Sequence, residues 1–280
     1  IFLEYSENTT ITGNSVKVHG WSGNGIRLRM YSHNTIVTSN SVLTLETGYH
    51  SYEISSPLYI GLCGNTYVRD NELNGTQSQS IDLDYPVTFG GQDIDTSNTG
   101  FGLPILYNES LSDMTVFNST DLTGQYRDII CAACTNVTYY NVTLHNVTLS
   151  LYYGSHNTID SLDITNEFTR GLHVSDEQYD TIKNTRVNTT AEDLQALLLS
   201  FYAHGYVHDN ELHKSGDDET MLLYWSDNNS IDNNTLTTHG AGSKGLTIGQ
   251  GSTNNSITSN SIHADQEAVS ITVSPYMVSN

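Results

Sequence analysis

The side chains that could do chemistry in this sequence are acidic residues placed in pairs. Asp82 and Asp84 in the segment SIDLDY would point to the same side of one strand, because side chains alternate along a strand. Asp217 and Asp218 form a second pair ahead of the apolar segment MLLYW. Hydrolysis of a glycosidic bond needs two carboxyl groups that face one sugar. Because a chain with 31 acidic residues forms such pairs by chance, we assign no catalytic residue and keep these four as alternatives.

Three cysteines, Cys63, Cys131 and Cys134, offer a second kind of chemistry. The Cys131-Ala-Ala-Cys134 spacing resembles a redox motif, but the βαβ pattern that accompanies such a motif is missing. Two cysteines at this spacing are too few for structural zinc, which takes four ligands. We therefore expect no metal site and no cofactor. An odd number of cysteines in a secreted chain predicts a disulfide between copies of the protein, and buried, inert thiols are the alternative.

Asparagine appears repeatedly in the acceptor pattern for N-glycosylation, which favours a secreted protein. A chain rich in Asn, Ser and Thr also forms this pattern by chance, so glycosylation at some of these positions is an expectation. The candidate residues are Asn8, Asn74, Asn108, Asn118, Asn136, Asn141, Asn146, Asn188, Asn228, Asn233 and Asn254.

The charge balance limits the class of partner. Ten basic and 31 acidic residues give a net charge of -21, so the surface would repel nucleic acid and anionic lipid. No run of 18 apolar residues occurs, and the sequence therefore predicts no membrane span. The remaining partners are cations, glycans or further copies of the same chain. An extracellular, cell-surface location fits this composition best.

The elements that must position these residues come from an internal repeat. A short pattern recurs along the chain, as in Ile11-Asn14-Val16 and Ile231-Asn234-Leu236. It begins with an apolar residue and two variable residues. A central residue follows, which is usually Asn, and then one variable residue and a second apolar residue. Most intervals between successive repeats lie between 22 and 26 residues, and one of 43 marks an irregular or inserted region at about 74–110. The central positions of the repeats are 14, 40, 71, 114, 140, 162, 185, 210, 234 and 260.

A second apolar segment precedes each repeat and alternates with period two, which indicates strands. Two or three short strands in 22–26 residues, with no amphipathic helix between them, predict an all-β fold. We interpret the chain as one right-handed, single-stranded parallel β-helix over residues 1–280, with roughly ten to eleven coils. Asn suits the corners of such a coil. Stacked inward Asn side chains would also form a hydrogen-bonded ladder, so their expected role is structural.

The segments GIRLRMYSHNTIVTSNSV (25–42) and TMLLYWSDNNSIDNNTL (220–236) resemble the β-helix repeats of the pectate-lyase-like and NosD-like carbohydrate-associated families. The resemblance covers essentially the whole chain and implies the fold. It leaves function open, because this fold carries lyases, hydrolases, epimerases, tailspikes and inert surface proteins. The motifs of polygalacturonases and alginate epimerases are missing, and the nearest string is Thr238-His239-Gly240.

The first and last segments enter and leave the repeat in the same phase, without the polar caps that soluble repeat proteins normally carry. Uncapped sheet edges favour strand addition, and the alternative is that the sequence is a fragment of a longer protein whose caps lie outside it. The expected function is therefore an extracellular structural protein that assembles end to end, with disulfides as possible links, into a sheath, layer or filament. In general character the chain resembles archaeal sheath and surface-layer proteins. The alternative is a carbohydrate-active enzyme or a glycan-binding module; whether the chain is an enzyme stays open, with the non-enzyme favoured.

Overall fold

The computed structural model describes residues 1–20, 23–45, 56–76, 78–84, 91–191 and 194–271. Within these ranges the chain is all-β and forms a right-handed parallel β-helix, as predicted. Strands at equivalent positions of successive coils pair in parallel. Leu149, Leu172, Leu197, Met221 and Leu246 stack in register at intervals of 23, 25, 24 and 25 residues, which confirms the length of the repeat.

The described strands form eleven coils and the start of a twelfth. Coils one to four contain β1 (Phe2–Glu4), β2 (Thr10–Thr12), β3 (Ser15–His19), β4 (Ile26–Arg29), β5 (Ile36–Thr38), β6 (Ser41–Leu45), β7 (Leu58–Gly61), β8 (Tyr67–Arg69), β9 (Glu72–Gly75), β10 (Ile81–Asp84), β11 (Asp93–Ile94) and β12 (Thr99–Gly100). Coils five and six contain β13 (Leu103–Glu109), β14 (Ser112–Asp121), β15 (Asp128–Ala132) and β16 (Thr135–His145).

The remaining coils contain β17 (Thr148–Tyr152), β18 (Thr158–Asp160), β19 (Asp163–Asn166), β20 (Leu172–Ser175), β21 (Thr181–Lys183), β22 (Arg186–Thr189), β23 (Leu197–Ser200), β24 (Tyr206–His208), β25 (Glu211–Ser215), β26 (Glu219–Tyr224), β27 (Ser230–Asp232), β28 (Thr235–His239), β29 (Lys244–Ile248), β30 (Ser256–Thr258), β31 (Ser261–Ala264) and β32 (Glu267–Ile271).

The chain reverses direction inside the region that the sequence marks as irregular. Strands β10, β11 and β12 pair in parallel with β7, β8 and β9, so they form an additional coil. A turn at Phe101-Gly102, with positive φ at both residues, then places β13 antiparallel to β12. We call coils one to four the first stack and coils five to eleven the second stack. The extent of the chain's domains stays a prediction.

Each stack has its own apolar core, and the two cores share one sheet. On β15, Ile129 and Cys131 point into the core of the second stack. The alternate residues Ile130 and Ala132, together with Tyr152 of β17, belong to the core cluster of the first stack. The first stack therefore packs against the outer face of the sheet formed by β13, β15 and β17. This contact creates a buried boundary between residues that are far apart in the sequence.

The asparagine ladder predicted from the repeat is confirmed. In the first stack the side-chain amides of Asn14, Asn40 and Asn71 each donate to the next ladder residue, ending at Asn98. In the second stack Asn210 donates to Asn234 and Asn234 to Asn260, at 2.9 and 3.0 Å. In these coils the ladder satisfies backbone N–H groups at the turn between two strands, which a buried turn cannot leave unpaired. The ladder is interrupted where Met114, Tyr140, Leu162 and Thr185 occupy the equivalent positions.

Changing Asn234 to alanine is expected to lower the free energy of unfolding by about 3 kcal/mol, because a buried amide loses its partner. Asn234 Oδ1 accepts from the backbone and the side chain of Asn210, and its Nδ2 donates to the carbonyl of Val207. Thr235→Ala, at an exposed position of the same coil, is the matched control and should change stability by less than about 0.5 kcal/mol. Equal denaturant midpoints for the two variants would contradict a stabilising ladder.

Candidate functional site

The first part of the site is the outer face of the sheet formed by β1, β4, β7 and β10. Strand alternation buries Ile81 and Leu83 in the core of the first stack, so Asp82 and Asp84 both lie on the outer face. Register pairs Asp82 with Tyr59 and Tyr59 with Arg27. This face therefore carries a row of three polar or charged side chains on adjacent strands.

The second part comes from the second stack, about seventy residues later in the sequence. The Tyr152 hydroxyl lies 3.3 Å from Asp82 Oδ1 and 3.2 Å from His173 Nδ1. Gln79 Nε2 donates to both Asp82 Oδ1 and the Tyr152 hydroxyl, at 2.8 and 2.7 Å. The Ser150 hydroxyl donates to Gln79 Oε1 at 3.2 Å. We call Gln79, Asp82, Ser150, Tyr152 and His173 the Asp82 site.

The Asp82 site lies at the boundary between the two stacks and is almost fully buried. Asp82 keeps 8 % of its surface exposed and His173 keeps 4 %, whereas Tyr152 is fully buried. Ser200, 8 % exposed, places its hydroxyl 3.5 Å from His173 Nε2 and continues the polar row along the second stack.

Burial sets the protonation states in the site. Desolvation, followed by the charge of Asp84, raises the pKa of Asp82 to about 7, because a carboxylate is stabilised less inside a protein than in water. Burial, assisted by the positive charge of Arg170, holds the pKa of His173 well below its usual range. Burial also raises the pKa of Tyr152 well above its usual value. Near neutral pH, Asp82 thus exchanges a proton beside a neutral imidazole and a neutral phenol.

Asp84 is held in a different way on the same face. The Tyr59 hydroxyl donates a hydrogen bond to Asp84 Oδ2. The Arg27 guanidinium lies 4.9 Å from the centre of the Tyr59 ring. Asp82 and Asp84 thus place two carboxyl groups on one face, the composition that acid–base chemistry needs.

The other two predicted acidic residues lie elsewhere. Asp217 is exposed and accepts a hydrogen bond from the backbone of Gly242 at 3.2 Å. Asp218 is buried and accepts a 2.6 Å hydrogen bond from Gln195. Gln195 also accepts from Arg170 at 2.8 Å, whose charge acts on Asp82 and His173. Asp218 is thus linked to the Asp82 site through two intervening side chains and belongs to its surroundings.

The structure corrects the prediction that Cys131 and Cys134 link copies of the protein. Cys131 and Cys134 form a disulfide within the chain, and both are fully buried. Ala133 has a positive φ of 53° and turns the backbone so that both side chains enter one core. Cys63 is a buried thiol that donates to the carbonyl of Gly61, and burial raises its pKa. All three side chains are therefore out of reach of a second molecule.

The predicted glycosylation sites differ in accessibility. Seven of the asparagines are exposed, and four are only partly exposed, so their glycosylation stays a prediction. The exposed residues are Asn8, Asn118, Asn136, Asn141, Asn228, Asn233 and Asn254, and the partly exposed ones are Asn74, Asn108, Asn146 and Asn188.

Comparison with known proteins identifies a family and several similar folds. The family model described as "Periplasmic copper-binding protein (NosD)" matches residues 90–276, two thirds of the chain. A search of curated proteins finds no match. The A-module of mannuronan C-5 epimerase AlgE4 from Azotobacter vinelandii is similar over 98 % of this chain and 90 % of its own, with 14 % identity and a TM-score of 0.36.

Two further solved structures are similar in fold. The Dettilon tailspike protein matches 96 % of this chain and 61 % of its own, with 12 % identity and a TM-score of 0.35. PfbA, a surface adhesin of Streptococcus pneumoniae, matches 88 % of this chain and 63 % of its own, with 11 % identity and a TM-score of 0.28.

The family description names copper binding, which would require several donor side chains to lie close together. Among the described residues, no three His, Cys, Asp or Glu side chains gather in a metal-binding arrangement. The rings of His156, Tyr179 and His204 stack on one another 5.0–5.1 Å apart and do not converge on a common point. The donors within the described ranges therefore do not form a site that fits copper. The described part of the chain also contains no helix able to cross a membrane.

Proposed function

The chain belongs to the NosD family of right-handed β-helix proteins, and on this fold we propose that it acts on a carbohydrate outside the cytoplasm, with the Asp82 site as its reaction centre. The observation that supports this most strongly is the meeting of Asp82 with Tyr152 and His173 across the boundary of the two stacks. A carboxyl group with a pKa of about 7 is suited to give or take a proton near neutral pH.

The reaction that the site supports best is cleavage of a glycosidic bond. Protonated Asp82 would give its proton to the leaving glycosidic oxygen, and Asp84 on the same face would act on the water that adds to the sugar. Gln79 orients Asp82. After cleavage, Asp84 would release the proton it takes from the attacking water, and Asp82 would take up a proton from solvent, which restores both carboxyl groups. Arg27, whose guanidinium lies over the Tyr59 ring, offers hydrogen-bond donors along the same row of strands, which suits a polymeric sugar.

Turnover on a panel of neutral and acidic polysaccharides tests this proposal. New reducing ends without an unsaturated product would support hydrolysis, and their loss in Asp82→Asn would assign the site. An unsaturated uronate would instead identify an elimination reaction at the same site and overturn the hydrolytic mechanism. Absence of both binding and turnover on the whole panel would overturn the carbohydrate function.

A location outside the cytoplasm is part of the proposal. The buried disulfide between Cys131 and Cys134 is of the kind that persists in oxidising compartments. Seven exposed acceptor asparagines are consistent with the same compartment. Exposure on the cell surface is the finer form of this proposal, and labelling of intact cells with an impermeant reagent would test it.

The second candidate function is a self-assembling structural protein of a sheath, layer or filament. Strands β1 and β32 are the outermost described strands of their sheets, and Phe2, Val269 and Ile271 on them are exposed apolar side chains. An exposed sheet edge with apolar side chains favours addition of a strand from another copy. Disulfides between copies are not part of this candidate, because all three cysteines are buried.

Electron microscopy and light scattering of the purified protein test the assembly. Under the structural proposal the wild type forms filaments or sheets, and Val269→Lys/Ile271→Lys shifts it to monomers. Thr235→Lys, which is exposed on the interior strand β28, is the control and should leave assembly unchanged. Monomeric wild-type protein at high concentration would overturn this candidate.

A further inference from the structure

A groove of about 570 Å³ lies beside the turn that joins the two stacks, and none of the residues of the Asp82 site lines it. Its lining is mostly apolar and consists of Thr76, Phe101, Leu103, Arg127, Asn146 and Phe168. Phe101 and Phe168 are 52 % and 53 % exposed, although both could have been buried in a core. The Arg127 guanidinium lies 5.3 Å from the centre of the Phe101 ring and supports it from the protein side.

One of the lining residues is an acceptor for N-glycosylation. Asn146 begins an acceptor sequence that ends at Thr148. Its Oδ1 accepts a 2.8 Å hydrogen bond from the backbone of Glu167, which precedes Phe168. This bond turns the side-chain amide so that its Nδ2, the atom that carries an N-linked sugar, faces away from this backbone and lies 3.4 Å from His145 Nε2. Asn146, which would bear the glycan, therefore also binds the backbone of the residue that precedes Phe168.

A second acceptor sequence reaches the groove from the first stack. Asn74 begins Asn74-Gly75-Thr76, and Asn74 Oδ1 accepts a 2.6 Å hydrogen bond from the backbone of Phe101. Its Nδ2 donates to Glu72 Oε1, and Asn74 itself does not line the groove. Asn146 is therefore the acceptor whose glycan would enter the groove directly.

We propose that this groove seats the first sugars of the protein's own N-linked glycan on Asn146, stacked between Phe101 and Phe168. The apolar faces of a sugar ring pack on aromatic rings, and exposed aromatic rings of this kind mark binding sites. A volume of about 570 Å³ accommodates a small ligand. Thr76 and the Asn146 amide supply the polar groups that orient it.

The glycan must be attached to Asn146 before the coil that contains this residue folds. Thr148 is buried and its hydroxyl donates to the carbonyl of Arg170 at 3.3 Å, so a transferase cannot reach this hydroxyl in the folded chain. The glycan would be attached during synthesis and would then be covered by the groove. Folded protein from a host without N-glycosylation should consequently remain unmodified at Asn146 when a transferase and its lipid-linked donor are added.

Glycopeptide mass spectrometry and thermal unfolding of the full chain test the proposal. The protein is produced in a glycosylating host and in a host without N-glycosylation, each as wild type, Phe168→Ala and Phe201→Ala. Phe201 is also partly exposed, at 40 %, and lies away from the groove lining. We expect Asn146 to be occupied and the glycan to raise the melting temperature of wild type by about 3 °C.

Comparing the effect of the glycan on the melting temperature in wild type and in Phe168→Ala shows whether the glycan contacts the groove or is only attached beside it. The coupling between glycosylation and the substitution measures the direct interaction of the two groups. The gain from the glycan should disappear in Phe168→Ala and persist in Phe201→Ala. An unoccupied Asn146 in protein that carries glycans at other acceptors would overturn the proposal. Equal gains in wild type and Phe168→Ala would also overturn it, since the glycan would then not contact the groove.

Discussion

Asp82→Asn is expected to lower kcat/KM on the responsive polysaccharide by about two to four orders of magnitude, the range typical for loss of a general acid or base. Asparagine keeps the shape of the protonated carboxyl group and can keep one contact with Gln79 and Tyr152, but it cannot transfer a proton. Burial raises the pKa of Asp82 to about 7, so the neutral form is the main one below that pH in the folded protein. The variant should therefore fold, and its thermal unfolding checks this.

The pH profile of the wild type gives an independent measure. If Asp82 acts as the proton donor, kcat/KM falls as pH rises through about 7, because the donor loses its proton. Asp217→Asn is the matched control, since Asp217 is an exposed acidic residue outside the site. An activity that persists in Asp82→Asn, or one that falls equally in Asp217→Asn, would contradict the assignment of Asp82.

Asp180→Asn is expected to stabilise the protein by about 2–3 kcal/mol at pH 7, from the linkage between pKa and stability. Glu177 and Asp180 are buried side by side in the second stack. Glu177 accepts hydrogen bonds from the backbone of Gly154 and the side chain of Asn157, and Asp180 accepts from the backbone of Asn157. Asp180 Oδ2 has no hydrogen-bond donor among the described residues other than a proton shared with Glu177.

Burial raises the pKa of both carboxyl groups, and the charge of Asp180 raises that of Glu177 further. The folded pair keeps a proton at pH values where the unfolded carboxyl groups, with pKa values near about 4, have lost theirs. The stability of the pair is thus present below about pH 4 and is lost progressively as the pH rises through neutral. The introduced asparagine side chain would supply an amide hydrogen to Glu177 in place of that proton and keep the acceptor for Asn157.

Chemical denaturation between about pH 4 and pH 8 measures this effect as the difference between variant and wild type. The difference should be near zero at the acidic end and increase with pH, whereas Asp163→Asn, at an exposed position on β19, should give no such trend. A variant that is less stable than wild type at the alkaline end would show that the pair is ionised and satisfied by other groups.

The repeat was predictable from the sequence because each coil carries its own signal. The Asn ladder joins residues one coil apart, such as Asn210 and Asn234, and both the period and the residue type are visible in the chain. The Asp82 site differs because Gln79 and Asp82 meet Tyr152 and His173 only after the turn at Phe101-Gly102 reverses the chain. No local sequence pattern indicates which face of a sheet in the second stack will pack against the first stack.

The cysteines illustrate the same limit. Their number predicted a disulfide, but pairing between copies was wrong because the positive φ at Ala133 closes Cys131 onto Cys134 within one chain. The pKa of Asp82 was also not predictable, because burial, its largest cause, comes from packing between the stacks. The sequence indicated these acidic residues as candidates, but it did not indicate how deeply they are buried or which side chains surround them.

The reversal between β12 and β13 also has a consequence for the order of folding. Repeat arrays nucleate locally and propagate from neighbour to neighbour, so the two stacks can grow independently on either side of the turn. Docking of the first stack on β15 and β17 then becomes a late, cooperative event. We expect catalytic competence to appear in refolding only with this last phase, after most of the β-sheet signal has recovered.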